Sequence, residues 1–287
     1  MTSKPAKPNA HETHRDEVER GERFEFGANW SRYLKRLDEA RVSGAIDSLC
    51  SMLVVSTLAG KTFLDAGCGS GLFSLAALRL GATVRSFDYD PRSVACAEAV
   101  KHRFAPDNSD WTIEEGSVLD KEYLATLPRF AVVYSWGVLH HTGAMWEAID
   151  NTLKLVAPGG IFFISIYNDQ GRASRQWRAV KRVYNRLPRG LKWLVLFPAF
   201  VRLWGPTFVK DTLKGAPLRT WSGYSRTGRG MSPWTDVVDW VGGYPFEVAR
   251  PEEVVEFCVA RGLRVRSVKT QGSGLGCNEY IFETAAG

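Results

Sequence analysis

Residues 63–71 read Phe63-Leu64-Asp65-Ala66-Gly67-Cys68-Gly69-Ser70-Gly71. Thr62 to Ala66 is a short apolar run. Three glycines then turn the chain, and Leu72 opens a stretch of helical spacing that runs to Leu80 and stops at Gly81. The segment is a strand, a tight turn and a helix. Glycines at such a turn let the backbone approach a ligand closely, and the helix start offers free amides. The spacing is G-x-G-x-G, whereas a dinucleotide site asks for G-x-G-x-x-G and finds Leu72 here instead. Asp65, two positions before the first glycine, would repel a pyrophosphate. It suits a ligand end that carries an ammonium group.

Outward from this loop, strand and helix alternate. Strands are predicted at Thr83–Phe87, Trp111–Glu114, Ala131–Tyr134 and Ile161–Ile166, with helices at Arg92–His102 and Ala144–Val156 and a turn at Pro158-Gly159-Gly160. Trp30–Leu58 has the spacing of one or two amphipathic helices. Alternation of this kind builds right-handed crossovers and a parallel sheet. The fold class is therefore α/β, a Rossmann-like doubly wound sheet with helices on both faces. Between 169 and 250 the alternation fails, and an inserted cap is expected. A proline followed by two acids at Pro251-Glu252-Glu253 then starts a helix to Ala260, and strands at Leu263–Lys269 and Glu279–Glu283 end the chain. The division is a disordered tail over 1–22, a core over 23–168, a basic aromatic cap over 169–250 and the end of the core over 251–287.

At 287 residues, 45% hydrophobic and 24% charged, the chain can bury a full core. Its five cysteines form no C-x-x-C pair, which argues against a disulfide framework or a zinc site, so no metal is expected and a cytoplasmic setting is. The polar, charged first twenty residues show no secretory signal, and the longest apolar run, Trp193–Val201, is far short of a membrane span.

Through Asp65 to Gly71 the chain resembles the class I S-adenosylmethionine-dependent methyltransferases, whose first motif is (D/E)-x-G-x-G-x-G. Further motifs follow in order. Asp88 lies 21 residues after Gly67, in Phe87-Asp88-Tyr89-Asp90 at the close of the second strand, where a carboxylate accepts from both ribose hydroxyls. Tyr89 is placed to pack on adenine. Gly116-Ser117-Val118-Leu119-Asp120 resembles the loop that contacts adenine, although many relatives have Asp where Ser117 stands. Leu155-Val156-Ala157-Pro158-Gly159-Gly160 resembles the turn before strand five. The resemblance implies a seven-stranded sheet with strand seven antiparallel. It also implies S-adenosylmethionine as cofactor, S-adenosylhomocysteine as product, and cofactor contacts from Asp65, Gly67, Cys68, Gly69, Gly71, Asp88, Tyr89, Ser117, Val118, Ser135 and Trp136.

Strand four leads into Ser135-Trp136-Gly137-Val138-Leu139-His140-His141-Thr142-Gly143, which in relatives passes the methyl group. His140 or His141 is a candidate general base for a hydroxyl acceptor, because His titrates near neutrality. A helix cap or packing against the sheet explains a His there equally well. The segment lacks the (D/N)-P-P-(Y/F) of base-amine methyltransferases and the Pro-Cys of C5-pyrimidine enzymes. It is more similar to small-molecule O- or N-methyltransferases of the quinone-biosynthesis type. Trp30 in the aromatic stretch from Phe24, Tyr167 after strand five, and Asn278 with Glu279 before the last strand are weaker candidates for substrate contact. Lid aromatics, core packing and a simple turn compete for them.

Residues 172–230 hold fourteen Lys or Arg and one acid, Asp211, a net +13 in a chain whose total is +6. Basic helices are expected at Arg172–Leu187 and Leu191–Trp204. The residues leave four readings open: a lid whose cations meet an anionic or amphipathic small molecule, a membrane-surface element over 172–204, an RNA-binding surface, or a solvated face over an ordinary cap. No nucleic-acid motif accompanies the charge. Four functions stay open with them: methylation of a small molecule, of a lipid-linked substrate or of RNA, and cofactor binding without catalysis. A relative of the cyclopropane synthases would share fold and cofactor. The residues do not fix the oligomeric state.

Overall fold

A computed structural model describes residues 10–34, 37–227, 232–272 and 275–285. Seven strands form one sheet: β1 (Thr62–Ala66), β2 (Thr83–Asp88), β3 (Trp111–Glu115), β4 (Phe130–Trp136), β5 (Val156–Tyr167), β6 (Leu263–Lys269) and β7 (Cys277–Thr284). Their order is β3-β2-β1-β4-β5-β7-β6, with β7 antiparallel to both neighbours. The strand order reverses between β1 and β4. In open parallel sheets the ligand crevice lies there, beyond the carboxyl ends of the strands.

The central strands are buried on both faces, as a sheet covered by helices requires. Leu64, Val133, Phe162 and Ile164 pack on one side with α7 (Met145–Leu153) and α12 (Pro251–Val259). Phe63, Val132, Tyr134 and Phe163 pack on the other with α3 (Glu39–Leu53) and α4 (Leu72–Arg79). Tyr134 and Phe163 stack with ring centres 5.0 Å apart. β5 starts at Val156, so Pro158-Gly159-Gly160 is an excursion of the strand rather than a turn before it. The pairing with β4 shifts register between Phe130 and Val132, and Gly159 takes φ +69°. A bulge of this kind lets one strand hold extra residues.

Composition suggests an unordered tail over 1–22, but α1 occupies Ala10–Glu19. Its polar side chains find polar partners rather than a hydrophobic seat. Arg23, just after it, pairs with Glu17 at 2.5 Å and lies 4.9 Å from the Tyr89 ring centre, while buried His14 meets Tyr89 edge-on. Hydropathy does not register such contacts. Residues 1–9 lie outside the described part. α2 (Gly27–Leu34) follows, then α3. α5 (Pro91–Phe104) and the single turn α6 (Lys121–Leu124) complete the core helices.

Among the described residues the cap has four α-helices: α8 (Arg172–Arg186), α9 (Trp193–Leu213), α10 (Arg219–Thr227) and α11 (Pro233–Gly242). α9 passes well beyond the expected Trp204 and carries Pro198 and Pro206 inside it. Trp177, Tyr184, Trp204, Val237, Val241 and Phe246 form a separate apolar cluster that also takes in Phe24. Lys181 is fully buried there. It donates to the Trp240 carbonyl at the end of α11 and lies 4.4 Å from that ring's centre. No helix among the described residues is long and apolar enough to cross a membrane.

Candidate active site

A cleft of about 1250 Å³ opens at the carboxyl ends of β1, β2 and β4. The glycine loop forms its floor. Gly67 (φ +84°), Gly69 (φ +55°) and Gly71 (φ +76°) all take left-handed backbone, which L side chains rarely adopt. Each also has a neighbour where a Cβ would sit. At Gly67 it is Val138 at 2.3 Å, at Gly69 the Trp30 ring at 3.0 Å, and at Gly71 Ala97 at 2.8 Å. Gly67 and Gly69 line the cleft; Gly71 does not, because it packs inward on α5.

Asp65 is 2% exposed. Its Oδ2 accepts from Ser74 at 2.6 Å, and the chain of bonds continues through Ser86 to the Trp111 indole. Asp88 keeps some surface toward the cleft and is pinned by two amides, Gly69 to Oδ2 at 2.8 Å and Asp90 to Oδ1 at 2.9 Å. Each oxygen retains a second lone pair for a ligand hydroxyl. Burial pushes the Asp65 carboxyl up to about 7, with the Asp88 charge adding to it, and burial pushes Asp88 up to about 6. Two desolvated acids on one cleft suit a positively charged, hydroxyl-bearing ligand. S-adenosylmethionine, with its ammonium, sulfonium and ribose, is such a ligand; a phosphate is not.

Between the ordinary carboxylate value and about 7, the folded chain binds more protons at these groups than the unfolded one. Their contribution to stability therefore falls as pH rises through that window. Cofactor affinity runs the other way, since ribose hydroxyls need an ionised acceptor. We expect calorimetric affinity for S-adenosylmethionine to be about tenfold weaker at pH 5 than at pH 7, given one controlling group near 6. A flat profile would remove Asp88 from that role.

Of the other expected cofactor residues, Cys68, Tyr89, Ser117, Val118 and Trp136 line the cleft. Burial raises the Cys68 thiol well above its ordinary value, so it is no nucleophile. Ser135 does not line the cleft. It is fully buried and donates to the Ala66 carbonyl at 2.8 Å, tying β4 to β1. Its neighbour Trp136 faces the other way, as strand alternation requires, and donates to Glu279 at 3.1 Å.

The two histidines have different surroundings. His140 is fully buried, does not line the cleft and packs 4.0 Å from the Tyr167 ring centre; burial holds its ring well below the ordinary value. His141 lines the cleft. Its Nδ1 lies 2.6 Å from the Pro245 carbonyl, an acceptor only, so Nδ1 carries the hydrogen and Nε2 the lone pair. Gly243 leaves it room, since a Cβ there would stand 2.9 Å from the ring. Burial lowers His141 to about 3, which keeps it neutral at physiological pH.

Among the weaker candidates, Trp30, Tyr167 and Glu279 line the cleft. Asn278 does not. It is fully buried, accepting from the Gln271 amide at 2.9 Å and donating to Asn168 at 3.1 Å. The cap departs most from expectation. It gives the cleft Trp204, Tyr224, Asp236, Asp239 and Trp240, and none of its described lysines or arginines. Among the described residues the cap's cations stay outside the cleft, because the cap turns its aromatic side inward. α11, which carries both acids, has an unread signal in Ser232-Pro233, a capping serine (3.2 Å to the Thr235 amide) before a first-turn proline. Asp90 was missed as an organiser: its Oδ1 caps α5 through the Arg92 amide, and its Oδ2 holds the start of α2 through the Gly27 amide at 2.7 Å. Among the described residues no cluster suits a metal ion.

The family model of the methyltransferase domain matches residues 33–215, more than half of the chain. A ubiquinone biosynthesis O-methyltransferase of Methylobacterium sp. (strain 4-46) is 31% identical over 191 residues, spanning 61% of this chain and 72% of that protein. Its counterpart from Rhizobium leguminosarum bv. trifolii is 27% identical over 61% of this chain and 74% of that protein. The solved structure of magnesium protoporphyrin IX methyltransferase from Synechocystis PCC 6803 with bound S-adenosylmethionine is similar in fold. Its TM-score is 0.54 at 12% identity, and the match covers 98% of this chain and all of that one. The glycine loop, the cleft at the switch point and the family match agree: this chain belongs to the methyltransferase-domain family and is a class I S-adenosylmethionine-dependent methyltransferase.

Proposed function

We propose that the protein methylates a hydroxyl oxygen of an aromatic small molecule, with His141 as the proton acceptor. The observation that carries this reading is the fixed tautomer of His141, a cleft-lining imidazole whose Nδ1 is committed to the Pro245 carbonyl. When bound, S-adenosylmethionine supplies a methyl group already activated by its positive sulfur. The chain has to align and to manage one proton. Trp30, Trp136, Tyr167 and Trp240 give flat apolar walls for a planar acceptor. The acceptor oxygen hydrogen-bonds to His141 Nε2, which directs its other lone pair at the methyl carbon. As the oxygen bonds to carbon its proton becomes strongly acidic, so even an imidazole held low by burial takes it. The relatives named above act as O-methyltransferases, which agrees with this choice of atom.

A second reading, methylation of an amine, is favoured by Asp236 and Asp239 on the cap side of the cleft. Incubation with an alkylated dihydroxybenzene and with an aromatic amine of the same size separates the two. The proposal expects methyl ether from the first. Turnover of the amine alone would overturn it.

A further inference from the structure

The cap carries an outer surface that methyl transfer does not use. Along α9, Trp193, Phe197, Val201, Val209 and Leu213 follow at intervals of four or eight residues, with Gly205 in the gap. All five are at least half exposed, from 50% at Val201 to 83% at Leu213. Helical residues four apart lie one above the next. At 3.6 residues per turn each step of four advances about 40° around the helix, so Trp193, Phe197 and Val201 share one face as a ridge and Val209 and Leu213 carry the row around to the next. A water-facing protein surface seldom gathers this many large apolar side chains.

The charge around the ridge has one sign. Arg186, Arg189, Arg202, Lys210 and Lys214 are exposed beside it. Asp211, the lone acid of the region, is 7% exposed, and its carboxylate accepts from the Thr220 amide and hydroxyl at 2.8 and 2.9 Å. The outer face of the cap therefore presents apolar groups and cations with no exposed acid between 172 and 224 to balance them. α9 also reaches the cleft, which Leu203, Trp204 and Thr207 line.

We propose that α9 docks the protein on an anionic phospholipid surface. The first half of the helix lies in the interface, Trp193, Phe197 and Val201 at the acyl-chain boundary and the cations among the headgroups. A second copy of the chain is a poor occupant, because two caps of this charge repel. RNA would use the cations but gain nothing from Val201, Val209 and Leu213, which offer no ring for a base. Because α9 serves both ridge and cleft, docking places the cleft near the membrane, where an amphipathic acceptor dissolved in the bilayer reaches it. That last step rests on the function proposed above; the docking does not.

The test is co-sedimentation of the full chain with vesicles of phosphatidylcholine alone or mixed with phosphatidylglycerol. Binding is expected to the anionic vesicles only, and to weaken in high salt. The double variant Trp193→Ser/Phe197→Ser is expected to partition at least about tenfold less, from the apolar area withheld from lipid. The pair Arg189→Glu/Lys210→Glu is expected to lose binding by a separate route. Both change exposed side chains, so melting temperature and S-adenosylmethionine affinity should match wild type. No binding to anionic vesicles overturns the proposal. Unchanged binding by the Trp193/Phe197 variant, or capture by RNA with vesicles ignored, does the same. The assay contains no methyl donor, so its failure is distinct from a failure of the O-methylation reading.

Discussion

His141→Asn is expected to lower kcat by about 10² to 10⁴-fold, the usual contribution of a positioned general base, with affinity for S-adenosylmethionine unchanged. Asparagine is chosen for its geometry. Its amide nitrogen falls where Nδ1 stands and keeps the donor to the Pro245 carbonyl, while nothing replaces Nε2. Loss of rate then reports the missing proton acceptor rather than a collapsed loop. A thermal melt provides the check, because a merely structural role would lower the melting temperature along with the rate. His140→Asn supplies the contrast. That ring is fully buried and does not line the cleft, so its replacement should cost stability before it costs the chemical step. Equal rates for His141→Asn and wild type at saturating acceptor would remove His141 from catalysis.

Asp88→Ala is the second large effect. The carboxylate holds the glycine loop through the Gly69 amide and retains lone pairs for the ribose. Removing charge-assisted hydrogen bonds of this kind costs about 1–3 kcal/mol, so calorimetry should show S-adenosylmethionine binding about 5- to 150-fold more weakly. Asp88→Asn separates the parts. It keeps the size and one acceptor, and a smaller loss from it would assign the remainder to charge. Unchanged affinity in both variants would refute the role.

The core was readable in the sequence because its signals are local and periodic. The loop from Asp65 to Gly71, the acid at Asp88 and the apolar strands each depend on neighbours in the chain, whereas the antiparallel β7 was implied by the family resemblance and its place between β5 and β6 is a property of the fold. The site was readable where a residue type is dictated by backbone, as at Gly67 and Gly69. It was not readable where direction decides. Ser135 and Trp136 are adjacent, yet one is tied inward to Ala66 and the other faces the cleft. Asn278 and Glu279 divide in the same way. The histidine pair needed the Pro245 carbonyl, a contact spanning 104 residues, before one ring could be chosen over the other. Helix α1 was hidden because its ties are polar: Glu17 to Arg23, and Arg23 to the His141 carbonyl at 2.9 Å. The charge of the cap does not say which way its cations face. Their side is a property of packing, and the packing turns Trp204 and Trp240 inward.

The most direct test of the account is label transfer. The protein is incubated with methyl-labelled S-adenosylmethionine and a cell extract, and lipid, RNA, protein and small-molecule fractions are separated. Label is expected as methyl ether on a small, amphipathic aromatic compound, with initial rates lowered by Asp88→Ala at limiting cofactor and by His141→Asn at any cofactor level. Cofactor binding with no label in any fraction, or label confined to RNA or protein, would contradict the account.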